Sequence, residues 1–511
     1  MITLFLRITI RVERKFNGYL PLHCCKATKS GKSVRDMIDT KLLQPLRTLL
    51  GPSGFRDDPE DLAPWLTDWR GRYTGKAAAL LAPTTTEDVV QIVRFAAENR
   101  IPLVPQGGNS GMVAGATPDA SGDSLLVSLR RMNRIISAGD ETGEAQVEAG
   151  VVLQSFHEAL AAQNRRFPLT LGGKGSATMG GLVSTNAGGT QVLRHGTMRS
   201  LVLGIEAVLP DGSIFNGLTA LKKDNRGYDV KQLFIGGEGT LGIVTKIVLR
   251  TVPSLIDRCV VWAGVKSPTD AYALLHYLNR RAGPAMEGFE IIPQKALDAV
   301  LRHIPGTRAP LANAHGWHAL IELVQDDPDQ LSPTELAQRL MAGAIEAGLV
   351  EDATLSVNEA QAEAFWKIRD SISEAERAEG PALQHDISVP VADMARFIEV
   401  ETPEIEARFP GTAVVAFGHL GDGNIHYHVK APKSVEITRW YSEYSGPISA
   451  HIYDRVDAYN GSLSAEHGIG MAKLGEFRRL ADPARLSALR AIKAAFDPLN
   501  IMNPGKLVPL A

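Results

Sequence analysis

Two short strings in the C-terminal half hold the residue types best able to do chemistry. Residues 418–428 read GHLGDGNIHYH and carry His419, His426 and His428; residues 464–468, SAEHG, add Glu466 and His467. If residues 425–430 form a strand, its period of two turns His426 and His428 to one face and Ile425 and Tyr427 to the other. Two imidazoles and one carboxylate make an open divalent-metal site that leaves positions for a substrate oxygen, so His419, His426 and Glu466 form a coherent ligand set. Unligated, His467 is free to take a proton. Any one of these histidines alone is an ordinary core or loop residue. Four of them with a Glu-His dipeptide read as a site.

A second chemistry is written in glycine. Residues 105–111 (PQGGNSG), 171–189 (LGGKGSATMGGLVSTNAGG) and 235–245 (IGGEGTLGIVT) are each dense in small residues. Successive backbone N–H groups hold phosphate oxygens well, and glycine lets the backbone come close, so a Gly-rich turn after a strand suits a pyrophosphate. None has the spacing of the common nucleotide folds, GxGxxG or GxxxxGK[ST], which points to a different dinucleotide fold.

These strings, with GSATMGGLVSTNAGGTQVLRHGTMR and the terminal FDPLNIMNPGK, resemble the FAD-linked oxidase family of the vanillyl-alcohol oxidase and p-cresol methylhydroxylase type. More narrowly they resemble its D-2-hydroxyglutarate, D-lactate and glycolate dehydrogenase branch, from about Leu66 onward. The resemblance implies an α+β chain: a two-subdomain FAD-binding domain of the p-cresol methylhydroxylase type, then an α+β substrate domain. It implies that Pro105, Gln106, Gly107, Gly108, Asn109 and Ser110, with Gly111, wrap the FAD pyrophosphate. Ser176, Thr178, Gly181, Ser184, Thr185, Asn186 and Gly188, with Glu238 and Ile243, would line the rest of the cofactor, and Asn503 would return to it from the C-terminal segment. Some members tether the flavin through a His in the first loop; Asn109 and Ser110 stand there here, so the FAD is expected to be non-covalent.

The same resemblance makes His419, His426 and Glu466 the metal ligands, zinc first among the candidate ions, and His467 the general base. The metal would hold the substrate's carboxylate and hydroxyl oxygens, and the carbinol hydride would pass to flavin N5 as His467 removes the hydroxyl proton. Arg369 matches the family's carboxylate-binding arginine, and Ser373, one helical turn on, could add a hydroxyl donor. Two positions depart from the pattern: Gln384 where the family usually has Lys, and His428 where it usually has Asn. Losing the Lys weakens the case for a dicarboxylate, so D-2-hydroxyglutarate, D-lactate, D-malate and glycolate all stay open. The acceptor implied is an electron-transfer flavoprotein, a cytochrome or a quinone. The rivals are an oxidase using molecular oxygen, a flavin-binding partner subunit of a glycolate-oxidase-like complex, and a non-oxidative transferase.

The elements that must position these groups begin at Gly75. An apolar strand at 78–82 and a helix opened by Thr85 and Asp88 are followed by a strand at 101–104 that runs into the first Gly-rich loop. Residues 171–189 look too small-residued to be a core element. Alternation resumes at 201–209, Pro210-Asp211-Gly212 marks a turn, and a strand is expected at 246–252. Longer helices follow at 268–282 and 359–377, alternating with strands near 319–324 and 413–417. The division expected is a disordered or spurious N-terminal extension at 1–36, a helical lead-in at 37–74, the FAD-binding domain at 75–253 and the substrate and metal domain at 254–511.

Composition agrees with this picture. At 511 residues, 44% hydrophobic and 22% charged, the chain has the balance of a globular protein with more than one domain. A formal net charge of -3 gives no basic field for nucleic acid. Three cysteines, two of them adjacent, offer neither a disulfide framework nor a metal motif. No stretch approaches the roughly 20 apolar residues of a membrane span. From Arg7 to Arg35 the chain is basic with Glu13 the only acid, which allows a transit peptide; the expected location is cytoplasmic, or the mitochondrial matrix if residues 1–36 are such an address. A homodimer is compatible with all of this.

Overall fold

Thr85 accepts from the N–H of Asp88, and the Asp88 carboxylate accepts from the N–H of Thr85, so the expected capping box opens the helix Thr86–Asn99. That helix buries Val89, Ile92, Val93 and Ala96. They pack over a four-stranded sheet ordered Phe55–Arg56, Ala79–Leu81, Leu125–Ser128, Leu103–Gln106. The computed structural model describes Ile38 and residues 41–510, apart from 140 and 434. The extension expected at 1–36 therefore lies outside the described residues.

A second, antiparallel sheet runs Ile135–Ala138, Glu144–Glu148, Ile243–Arg250, Val202–Val208, Ile214–Gly217. Its core takes in Met179, Leu182 and Val183 from a short helix, Met179–Thr185, inside the segment expected to be no core element. The apolar spacing of i, i+3, i+4 decides it, and Gly180 lets the helix lie against Ala149. The strand expected at 246–252 begins three residues earlier, at Ile243.

The third sheet has seven antiparallel strands, ordered Asp352–Leu355, Asp257–Val265, Trp317–Gln325, Met286–Pro293, Ala413–His419, Asn424–Lys430, Ala382–Ser388. Helices Pro268–Ala282, Pro333–Glu346, Val391–Arg408 and Ser445–Ala458 cover one face, which holds Ile387, Ile425, Tyr427 and Val429. The other face carries Phe417, packed with Ala362, Phe365 and Ile368 of the helix Glu359–Asp370. The helix expected over 359–377 is two: at Ser371 ψ turns to 0 within a few degrees, opening the ladder before Ile372–Glu379.

Candidate active site

One cavity of about 1160 Å3 receives residues from all three sheets. An ordinary small-molecule pocket is roughly 300–1,000 Å3, so there is room for a dinucleotide together with a substrate. The strand Leu103–Gln106 delivers the chain to Gly107 and Gly108, whose carbonyls accept from the Arg130 guanidinium at 3.2 and 2.8 Å. Among the described residues the N–H groups of Gly108, Asn109, Ser110 and Gly111 have no protein acceptor. A Cβ on Gly108 would lie 1.8 Å from the Ser176 carbonyl oxygen, so only glycine lets the loops meet. Thr178 Oγ1, beside Gly107, is buried with no partner. Four free donors in a row and an orphaned hydroxyl suit a pyrophosphate, and the residues present fit FAD.

Of the expected flavin residues, Pro105 to Gly111, Ser176, Thr178, Gly181, Ser184, Thr185, Gly188, Glu238 and Ile243 all line this cavity. Asn186 does not: in the left-handed region at φ 50°, it closes the helix Met179–Thr185, and its Oδ1 accepts from Thr197 Oγ1 and the N–H of Arg199. Asn503 is likewise a strut, donating from Nδ2 to the carbonyls of Gly115 and Glu238. Glu238 lines the cavity, but its carboxylate accepts from the N–H of Ile469 and of Gly470, at 2.7 Å each. Burial pushes that carboxyl up to about 7 against these bonds.

Opposite the flavin loops, the seven-stranded sheet presents Glu290, His419, Phe417, His426, His428, Gln384 and Asp386 on one face. His426 and His428 sit on the strand Asn424–Lys430 with Ile425 and Tyr427 turned into the core, as the period of two predicts. Arg369 donates from Nε to Glu290 Oε2 at 2.9 Å, and its Nη2 lies 3.3 Å from His419 Nε2 and 3.2 Å from His426 Nε2. Glu466 Oε1 is 3.6 Å from His419 Nε2. The three expected metal ligands thus converge, with the guanidinium between the imidazoles; among the described residues no group of three His, Cys, Asp or Glu side chains is spaced to hold an ion.

The electrostatics of this cluster are set by Arg369 and the buried carboxylates around the two imidazoles. His419 Nδ1 is hydrogen-bonded to Glu290, which turns Nε2 toward Arg369 and Glu466. Burial works against a charge on His419, yet Glu290 raises its pKa to about 9; burial, Arg369 and His419 together push His426 well down. Burial raises Glu466 to about 7, while Arg369 and His419 overrule burial to hold Glu290 at about 2. Once His419 gives up its Nε2 proton, two Nε2 lone pairs, a carboxylate and a second carboxylate behind one imidazole are a donor set that fits a divalent ion.

The Nδ1 of His467 lies 3.1 Å from Asp386 Oδ2, within ion-pair distance, and its Nε2 has no partner among the described residues. Asp386, 5% exposed, accepts from the N–H of Glu466 at 3.0 Å, the N–H of His467 at 3.2 Å and Asn424 Nδ2 at 2.9 Å. Burial lowers the His467 pKa against the pull of Asp386. Against burial, the charges of His467 and Lys473 hold the Asp386 carboxyl well below its usual range. Ser373 and Gln384 line the cavity, and His428 is ion-paired through Nδ1 with the buried Glu376. Ser373 reaches the wall from the second helix of the broken pair, so it is not one unbroken helical turn from Arg369.

Sequence reasoning missed Asp386, Glu290, Glu376 and Arg70. Asp386 was within reach, because it shares a strand face with Gln384. Glu290 and Glu376 pair with histidines distant in sequence and left no local signal.

Comparison with known proteins places these features in a family. The family described as "FAD binding domain" matches residues 77–217, and "FAD linked oxidases, C-terminal domain" matches residues 256–507. The chain is 34% identical over 473 residues to the mitochondrial D-2-hydroxyglutarate dehydrogenase of Arabidopsis thaliana, covering 92% of this chain and 82% of that protein. It is 30% identical over 483 residues to a D-2-hydroxyglutarate–pyruvate transhydrogenase of Saccharomyces cerevisiae, covering 92% and 95%. The fold is that of p-cresol methylhydroxylase: a solved structure with substrate bound superposes with a TM-score of 0.71 at 15% identity, covering 91% of this chain and 96% of that one.

Proposed function

Since the chain belongs to the FAD-linked oxidases, we propose that it is an FAD-dependent dehydrogenase that oxidises a small D-2-hydroxy acid to the 2-oxo acid. The carrying observation is the His467–Asp386 pair on the wall of the cavity that the glycine loops line. Relatives named D-2-hydroxyglutarate dehydrogenase support the substrate class.

The Asp386 carboxylate faces Nδ1 and its charge favours the proton there, which leaves the Nε2 lone pair of His467 to take the hydroxyl proton. Arg369, fixed by Glu290, offers its remaining N–H donors to the carboxylate beside the carbinol carbon. Ser373 adds a hydroxyl on the same wall. The glycine loops form the other side of the cavity. FAD, held by the glycine loops, would supply the two-electron acceptor for the carbinol hydride. A divalent ion on His419, His426 and Glu466, zinc first, would supply Lewis acidity toward the hydroxyl and carboxylate oxygens.

The reading includes a division of the chain near Pro253, an electron-transfer flavoprotein, cytochrome or quinone as acceptor, and a mitochondrial location, in the matrix if residues 1–36 are a transit peptide; relatives named mitochondrial support the organelle.

Dye reduction by the purified holoenzyme against a panel of D- and L-2-hydroxy acids tests it, before and after EDTA and again after metal restoration. Reduction by one D-acid, lost on chelation and restored by metal, is expected. An FAD-loaded protein that reduces dye with none of them would favour a partner subunit without chemistry of its own.

A further inference from the structure

The lead-in before the first flavin loop sends an arginine into the cavity. Asp68, 4% exposed, uses its carboxylate on its own turn, accepting from the N–H of Arg72 and of Tyr73 at 2.7 Å each and of Arg70 at 3.2 Å. The turn sets Trp69 and Arg70 on the cavity wall, which they share with Gln384, Asp386 and His467. Arg70 is half-buried and, among the described residues, forms no ion pair; its hydrogen-bond contact is Met112 Sδ at 3.7 Å. Burial, then the charge of Arg72, lower its pKa to about 10, so it stays cationic at neutral pH.

The other cavity arginines differ. Arg166, Arg258 and Arg369 are each tied to a buried glutamate, and Arg377 is exposed to water. On the sheet wall Gln384 is neutral and His428 is paired with Glu376, so no free cation comes from there. The charges of Asp386 and Asp68 reach Arg70 only across space, so a half-buried guanidinium with no hydrogen-bonded carboxylate still gains when an anion comes to it.

We propose that Arg70 is the receptor for a second carboxylate on the substrate, so that this chain takes a dicarboxylic D-2-hydroxy acid. Arg369 holds the carboxylate beside the carbinol carbon and the planar Arg70 fork holds the distal one. The assignment rests on the 2-hydroxy-acid reading above. It puts the charge that Gln384 does not supply onto the FAD-binding half of the chain.

The test uses holoenzyme of the wild type, Arg70→Met, Arg70→Lys and the control Arg72→Met; Arg72 is exposed, with its guanidinium over the Tyr441 ring. Steady-state constants are measured for D-2-hydroxyglutarate and D-lactate. Dissociation constants for 2-oxoglutarate and pyruvate come from the change in flavin absorbance. Arg70→Met is expected to raise KM for the diacid and Kd for 2-oxoglutarate about 10- to 100-fold, as loss of a charged hydrogen bond does. kcat should hold within about threefold, Arg70→Lys should fall between, and the monoacid constants and Arg72→Met should stay near wild type. Diacid and monoacid constants moving together, neither moving, or a wild type that does not bind 2-oxoglutarate would each overturn the assignment. The binding arm separates the two readings. A wild type that oxidises no hydroxy acid while Arg70→Met selectively weakens 2-oxoglutarate sinks the oxidation and keeps Arg70; oxidation of D-2-hydroxyglutarate with KM untouched in Arg70→Met does the reverse.

Discussion

His467 can act as a base only in its neutral form, and its surroundings favour that form. Burial lowers its pKa from the usual 6.5, with Asp386 pulling the other way. Protonation therefore removes activity only as pH falls below that value, and the acid limb of kcat/KM is expected to have its midpoint below 6.5; a midpoint above it would contradict the role. His467→Ala should lower kcat by about 10²- to 10⁴-fold, the usual worth of a positioned acid–base group, with the flavin absorbance intact. Asp386→Asn tests the tautomer. An amide facing Nδ1 no longer demands a proton there, so kcat should fall while KM changes little, and a KM effect alone would mean that Asp386 only shapes the pocket.

At the scale of elements, the loop 464–470 carries both Glu466 and His467, and Glu238 anchors it by accepting from the N–H of Ile469 and Gly470. Gly468 sits at φ 81°, and a Cβ there would lie 2.7 Å from Glu238 Oε1. Gly468→Ala should therefore cost about 1–3 kcal/mol in strain and lower kcat at least tenfold, read by thermal unfolding and dye reduction. Gly475→Ala, in the helix Leu474–Leu480 with open space around its Cβ, should leave kcat unchanged and not lower the melting temperature. What the sequence reveals at this scale follows from periodicity. The alternation in residues 424–430 placed His426 and His428 on one face, and the capping residues placed the helix Thr86–Asn99. Asn186 caps its helix and Asn503 Nδ2 bridges two carbonyls, structural uses that a Gly-rich string does not separate from a ligand contact. Arg70 was unreadable because a turn organised by one aspartate has no period to betray which side chain enters the cavity.

Over the whole molecule, the C-terminal segment closes back onto the flavin-binding half. Leu103 donates its N–H to the carbonyl of Ile501 and accepts from the N–H of Asn503. Lys493, 3% exposed, donates to Asp497 and to the carbonyls of Thr240 and Met502, at 2.5, 2.8 and 2.7 Å. The Asp497 carboxylate also accepts from the N–H groups of Ile501 and Met502. Asp497→Ala leaves the Lys493 ammonium buried without its counter-charge and two N–H groups without an acceptor, a loss of about 3–5 kcal/mol. A lower melting temperature is expected in the apo protein on that account alone. Thr240 stands directly after Glu238 and Gly239, both on the cavity wall, so loosening Lys493 also loosens the cradle. Ligand that binds only the folded form stabilises it by mass action. The rise in melting temperature on adding FAD should therefore be smaller in Asp497→Ala than in the wild type. An equal rise in both would mean that the C-terminal segment braces the fold without shaping the cofactor site.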